Sequence, residues 1–387
     1  MSHPRIRPAA AIGFGLVHVA ALGILVLDFT WWGVALCVAS YYLRMFAITA
    51  GFHRYFSHRT YQLGRVSQFL MAFLGQTAAQ KGVLWWAAHH RHHHRYSDMP
   101  EDIHSPKQRG FWWSHMGWIL AEDYEKADYA RIPDFAKYPE LRWLDSNQFL
   151  ATMVYALFMF FAFGWTGLFY GYFLATVLLW HGTFTINSVM HVFGRRVYAT
   201  KDDSRNSMIF ALVTMGEGWH NNHHHYPGSA AQGFHWWQID PSYYLLWIGE
   251  KVGLVKGLRR VPEKIKVAGL RAFDEAIDAA SKNVHDRLDQ LTARWEELRA
   301  NARASAHHAI EDLEAKRVRA SERLEALQAD YAAAYAAAKS RAGAAADEKV
   351  AKLRKDIEEA RAQLAELLAR LIEAAEAALS VPSGLPA

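Results

Sequence analysis

One cysteine, Cys37, stands in 387 residues. A lone thiol closes no disulfide within the chain, and it cannot build a Cys-rich zinc or iron–sulfur site. The GxGxxG dinucleotide fingerprint is missing too, as are ferredoxin cysteines and a haem-binding cytochrome domain. Redox chemistry in this chain therefore has to draw its electrons from a separate protein. An excess of acid is also lacking: 43 Lys and Arg face 38 Asp and Glu, for a formal charge of +5. That mild basicity suits an anionic lipid surface or an acidic protein partner. No nucleic-acid partner is expected. Histidine, by contrast, is abundant: of 21 in the chain, 16 lie between His53 and His235.

A mean hydropathy of -0.10 hides two unlike halves. Four apolar stretches, at about 9–28, 30–52, 148–165 and 168–190, are each near the length that crosses a bilayer. The first is interrupted by His18 and the second by Arg44. Short connections, Asp28-Phe29-Thr30 and Trp165-Thr166-Gly167, join them into two hairpins. The basic start resembles a signal-peptide n-region, but no small-residue cleavage site follows, so the first stretch is read as a span. Arg5 and Arg7 precede it, Arg54, Arg59 and Arg65 follow the second, and neither hairpin loop has a Lys or Arg. The positive-inside rule then puts both termini in the cytosol, and a bacterial inner membrane is the expected location. The apolar stretch from Val66 to Ala79 is too short to span and is expected to be a buried or interfacial helix.

Past Pro262 the composition turns to Ala, Glu, Arg, Lys and Leu. Val284, Leu288, Leu291, Trp295 and Leu298 form one heptad seam; Val350, Leu353, Ile357, Ala360, Leu364, Leu367 and Leu371 form another. Gly343 is a candidate turn between two long helices. The expected organisation is a membrane domain over 1–262, a coiled-coil-like helical region over 263–380 and a flexible tail over 381–387. The seams need a partner helix, either in the same chain or in a second subunit.

The histidines fall in patterned groups: His53 and His58 in HRYFSH, the run His89–His94 in HHRHHH, an isolated His191 in NSVMH, and GEGWHNNHHHYP from Gly216 to Pro227. Positions i, i+3 and i+4 share one helical face, so His220, His223 and His224 can point one way. Within the middle run both His89, His92, His93 and His90, His93, His94 satisfy that spacing. Five-residue spacing does not fit one α-helical face, so His53 and His58 are expected to straddle the end of the second span. Neutral imidazole suits Fe, Zn, Cu and Ni. So many histidines exceed what one zinc needs, and two redox-active irons are the economical reading. Zinc is expected as a replacement in purified samples.

These residues, as a set, resemble the membrane fatty acyl desaturases, in particular the stearoyl-CoA (delta-9 acyl-CoA) branch. The segments AITAGFHRYFSHRTY (Ala47–Tyr61), RGFWWSHMGW (Arg109–Trp118), Asn187–His191 and Gly216–Pro227 carry the likeness. The resemblance implies an all-α integral membrane fold, with four transmembrane helices beneath a cytosolic histidine-rich cap. It implies two ferrous ions held by His53, His58, His90, His93, His94, His191, His220, His223 and His224, with Asn187 acting through a water. Arg91 and the run Arg95-Tyr96-Ser97 match the family's flanks only in the His90, His93, His94 register. It places Gln80, Trp86 and Thr183 along a kinked acyl tunnel and Tyr41 and Met45 near its closed end.

The implied activity is insertion of a cis double bond into a saturated acyl chain, using O2 and two electrons from a cytochrome b5 or ferredoxin type donor. Ala88-His89 and Lys81 depart from the acyl-CoA members, so an acyl-CoA, an acyl carrier protein and a membrane lipid all remain open as carriers. A di-iron hydroxylase would use the same metal chemistry. A catalytically dead membrane scaffold working through the C-terminal helices, which could also form a homo-oligomer or bind a partner, is the alternative of another class.

Overall fold

The computed structural model describes residues 5–266, 289–294, 315–330 and 344–380. The chain divides into two compact units, Met1–Phe273 and Asp274–Ala387. The described residues are helical, and their only strand-like pairings are isolated bridges such as Gln62 with Lys256.

Helix α1 (Pro8–Ala21) starts with proline in its first turn, where the missing N–H costs nothing, and runs on as a 3-10 turn, Leu22–Val26. Thr30 opens α2 (Trp31–Phe46) by accepting a hydrogen bond from the Gly33 N–H at 3.0 Å. The α2 helix continues without a break into a π-wound segment, Ala47–Ser57. Three stretches are long and apolar enough to cross a membrane: Pro8–Val26, Trp31–Ser57 and the 42-residue Leu150–His191. The third holds both of the later apolar arms.

That third stretch folds back on itself. Gly164, at φ 63° and ψ −152°, breaks the helix between Leu150 and Thr166 in a region that only glycine adopts readily. Across the reversal the Thr152 and Tyr172 hydroxyls meet at 2.7 Å. The turn was expected at Trp165-Thr166-Gly167; those residues instead stay helical, because the one sharp bend falls on Gly164. The lipid-like faces are bare. Leu16, Val19, Leu157 and Phe161 are all exposed, and apolar patches of this extent mark a membrane surface rather than a water-facing one.

Helix α3 (Arg65–Gln76) buries Gln68, Ala72, Gly75 and Gln76 and exposes Val66 and Leu70. A polar residue faces in and apolar ones face out, which fits the interfacial position expected for this segment. Helix α4 (Val83–Tyr96) carries the middle histidine group. Its N-terminal amides at Leu84 and Trp85 are held by Asp145 Oδ1 at 2.8 and 3.0 Å.

In the second unit, α5 (Ala344–Ser380) buries Ile357, Ala360, Leu364, Leu368 and Leu371. They pack against Leu324, with Ala320, Leu327 and Leu291 alongside, so the seam finds a partner within its own chain. Leu367 was expected on the seam, but Leu368 is the buried residue and Leu367 is half-buried. A straight α-helix drifts by ~20° per heptad, and a four-residue step absorbs that drift. Of the earlier seam only Leu291 is described; Val284, Leu288, Trp295 and Leu298, the Gly343 turn and the tail over 381–387 lie outside the described residues.

Candidate metal centre

Four local structures aim histidines at one place. In α4, the i, i+3, i+4 spacing puts His90, His93 and His94 on one face. The short helix His220–His225 does the same for His220, His223 and His224. His191 closes a 3-10 turn, Val189–His191, at the end of the Ala175–Ser188 helix. The five-residue gap between His53 and His58 is bridged by the π-winding. The His58 N–H donates to the His53 carbonyl at 3.2 Å, an i→i+5 bond that stands one residue a single turn from the other. Both therefore serve one site.

The result is two groups: His53, His58, His90, His94 and His223 in one, and His93, His191, His220 and His224 in the other. Within each group the candidate ligand atoms lie within 4.8 Å of one another. His89 and His92 belong to neither. The His89 Nδ1 meets the Trp85 carbonyl at 2.8 Å and the His92 Nε2 meets the Glu101 carbonyl at 2.9 Å.

The geometry fits metal ions. An imidazole nitrogen binds a first-row metal at about 2.1 Å, so two such nitrogens at right angles on one ion lie about 3.0 Å apart. Nε2 atoms meet at 2.9 Å between His53 and His223, between His58 and His90, and between His94 and His223. They meet at 3.1 Å between His191 and His220. His224 Nε2 is buried with no hydrogen-bond partner. Burial first, then mutual repulsion among the imidazoles, holds His58, His90, His94, His220 and His223 well below the ordinary histidine range. They are neutral, with lone pairs free for a metal.

A layer of carboxylates behind the histidines was not anticipated from the sequence. Asp98 meets His191 Nδ1 at 2.9 Å, Asp102 meets His93 Nδ1 at 3.1 Å, and Asp202 meets His224 Nδ1 at 2.8 Å. Glu217 pairs with His53 Nδ1. Each fixes its ring's tautomer and turns Nε2 inward. Burial opposes ionisation of Asp98, Asp102 and Asp202, but the histidine contacts outweigh it and hold all three below the usual carboxylate range. At His93 burial acts downward, yet the Asp102 charge and hydrogen bond prevail and raise it.

Glu217 is itself held by Arg54, fully buried, which also donates to Asp240 at 2.9 Å, and by Gln232 Nε2 at 2.8 Å. Gly216 makes room for this cluster: its φ is +115°, and a Cβ there would sit 2.2 Å from Asp240 Oδ1. A signal for Glu217 was present, since it lies in the same motif as His220. Asp98 and Asp102 stand within a few residues of the middle box.

Two adjoining cavities border the centre and share Trp86, His90, Thr183 and Asn187. One runs toward Gln80, Trp118 and Ile119, the other toward Met45, Ile48 and Thr214. Between them Gln80 Nε2 donates to Thr183 Oγ1 at 3.0 Å. Ala79 and Lys81, on either side of Gln80, both hold positive φ, 54° and 69°. That is a strained backbone for residues with a Cβ, and it pins the amide in place. Trp86 stacks on His90 at 4.9 Å. Tyr41 lines neither cavity. It sits one turn from Met45, with its hydroxyl on the Val213 carbonyl at 2.9 Å. Asn187 borders both cavities, its carbonyl held by Ser114 Oγ at 2.8 Å.

Histidine groups that could hold metal ions, set among apolar helices, fit a class of membrane metalloprotein. The chain belongs to the fatty acid desaturase family, whose model matches residues 29–247. It is 38% identical to an sn-2 palmitoyl-lipid 9-desaturase of Nostoc sp. (strain 36), over 65% of this chain and 90% of that protein. It is 36% identical to an sn-1 stearoyl-lipid 9-desaturase of Synechocystis sp. (strain ATCC 27184 / PCC 6803 / Kazusa), over 68% of this chain and 84% of the other. An acyl-CoA C20 Delta5-desaturase of Anemone leveillei is 34% identical, over 65% and 83%.

Proposed function

We propose that the chain is a di-iron desaturase that places a cis double bond at the delta-9 position of a saturated acyl chain carried on a membrane lipid. The observation that carries the reading is the pair of histidine groups, with Nε2 atoms at single-ion spacing, bordered by two adjoining cavities. His53, His58, His90, His94 and His223 would hold one iron, and His93, His191, His220 and His224 the other, with Asn187 acting through a water. Such a metal pair, when bound, supplies the oxidising power of O2 that an unactivated methylene requires.

The chain's own residues position the substrate. The Gln80–Thr183 hydrogen bond and the Trp86 ring form the elbow beside His90, and a bent path favours a cis product by holding two adjacent carbons at the centre. Met45 and Ile48 narrow the far arm. The conversion balances as one saturated chain, one O2, two electrons and two protons giving one alkene and two waters. The electrons come from a separate donor of cytochrome b5 or ferredoxin type.

A lipid carrier is favoured by the names of the two relatives at 38% and 36% identity. It is also favoured by Ala88-His89, which stand where acyl-CoA members carry an Arg-Asp pair. We read the two arms of Leu150–His191 as the third and fourth of four spans, with both termini cytosolic. The test is expression in a host that makes no unsaturated fatty acids. Delta-9 monoenes should appear in its lipids with the wild-type chain; hydroxylated chains, or no product from a folded, iron-loaded protein, would overturn the reading.

A further inference from the structure

The two histidine groups are backed by unequal charge. In the four-histidine group, His93, His191 and His224 each give Nδ1 to an aspartate, at 3.1, 2.9 and 2.8 Å. None of those aspartates is paired with a Lys or Arg among the described residues. Their remaining hydrogen bonds come from neutral groups: Asp98 accepts from Ser105 Oγ and the Asp203 N–H, Asp102 from the Asp98 and His104 N–H groups, and Asp202 from the Ser204 N–H. In the five-histidine group, Glu217 behind His53 is the single carboxylate at ion-pair distance of a histidine among the described residues, and the buried Arg54 guanidinium pairs with it and with Asp240. Arg91, which donates to the Phe56 and Ser57 carbonyls at 2.8 and 2.9 Å beside His58, is paired with Asp134 at 2.8 Å, so the carboxylates on this side face arginines while the three aspartates of the other group pair with none among the described residues.

A carboxylate accepting from Nδ1–H makes Nε2 a stronger donor, and such partners tune metal affinity directly. A buried anion near a divalent ion also stabilises the ion's charge, more so in a low-dielectric site. We infer that the two metal positions are inequivalent by construction. The position at His93, His191, His220 and His224 is the high-affinity one, set by Asp98, Asp102 and Asp202. The position at His53, His58, His90, His94 and His223 fills second and empties first. Asp98, Asp102 and Asp202 are positioning residues, acting through the rings they hold.

This rests on the reading of the histidines as metal ligands, and the test separates the two. Metal-free full-length protein in detergent is titrated anaerobically with Fe2+ against a competing chelator, and bound iron is counted. Two ions should bind in two resolved steps. His58→Ala should remove the weaker step and leave the tighter one. Asp98→Asn or Asp202→Asn should weaken the tighter step about 10- to 100-fold while leaving the weaker in place, and Glu217→Gln should act on the weaker alone. Should an Asn variant fail to fold, the wild-type titration with His58→Ala still decides. One unresolved step for both ions, or loss of the tighter ion in His58→Ala, overturns the inference. No iron bound at all removes the ligand reading beneath it.

Discussion

The unit that ends at Phe273 buries a charged, imidazole-rich cluster, and the described core of the unit that follows it is aliphatic throughout. Beside an apolar core, the first encloses histidines, five carboxylates (Asp98, Asp102, Asp202, Glu217 and Asp240) and the Arg54 guanidinium. The described core of the second is Leu324, Ile357, Ala360, Leu364, Leu368 and Leu371. Buried charge is costly and is kept where something has to be held in position; an aliphatic seam needs only a second helix. We therefore expect the chemistry to lie in the first unit, and we propose association or docking as the role of the second.

The sharpest way to break that contrast is to remove one imidazole. His90→Ala or His223→Ala should abolish desaturation while membrane insertion is retained, as read by lipid fatty acid profiles and membrane fractionation. Full activity in either variant would dissolve the assignment. Next in size is the buried cation. Arg54→Met leaves Glu217 and Asp240 buried without their partner, and loss of one member of such a cluster costs about 3–5 kcal/mol. Thermal melting of the detergent-solubilised protein should show it, with lowered iron content alongside.

Chain length comes third. Met45 is 1% exposed and lines the far cavity arm. Met45→Ala should shift products toward longer chains, at about 0.8 kcal/mol or roughly fourfold for each added methylene accommodated. An unchanged product distribution would move the closed end elsewhere. The smallest expected effect on catalysis is the most pointed test of the contrast. A chain ending near residue 268 should insert, bind iron and desaturate at close to the full rate, and lose only self-association or attachment to a partner. A truncated form that keeps its iron but cannot turn over with a small chemical reductant would place the second unit in the active site.

Box spacing made most of the site legible, because i, i+3, i+4 is a geometric statement about any α-helix. For His53 and His58 the spacing rightly put the pair astride the end of the second span, at Ser57, but it gave no sign of the π-winding that turns both to one site. Spacing alone also left the middle run in two registers; the flanking Arg91 and Arg95-Tyr96-Ser97 chose His90, His93 and His94 by resemblance, and the fold agrees, with His89 and His92 turned to backbone carbonyls instead. The aspartates behind the rings were invisible for a related reason. Asp202 reaches His224 through a loop, and no periodicity links them. The apolar runs announced helices long and apolar enough to cross a membrane, but the reversal fell on Gly164 rather than on the residues just after it, since composition marks a turn region and only φ and ψ choose the residue. In the second unit the heptad was read one residue off at Leu367, through the slow rotation of a straight helix.

The most direct test supplies iron-loaded protein, an electron donor and O2 with a membrane lipid whose stearoyl chain carries deuterium on both carbons at positions 9 and 10. The account predicts a cis-9 monoene, still esterified to the intact lipid, that has lost one deuterium from each carbon. A product that keeps three of the four deuterium atoms and gains an oxygen would contradict it.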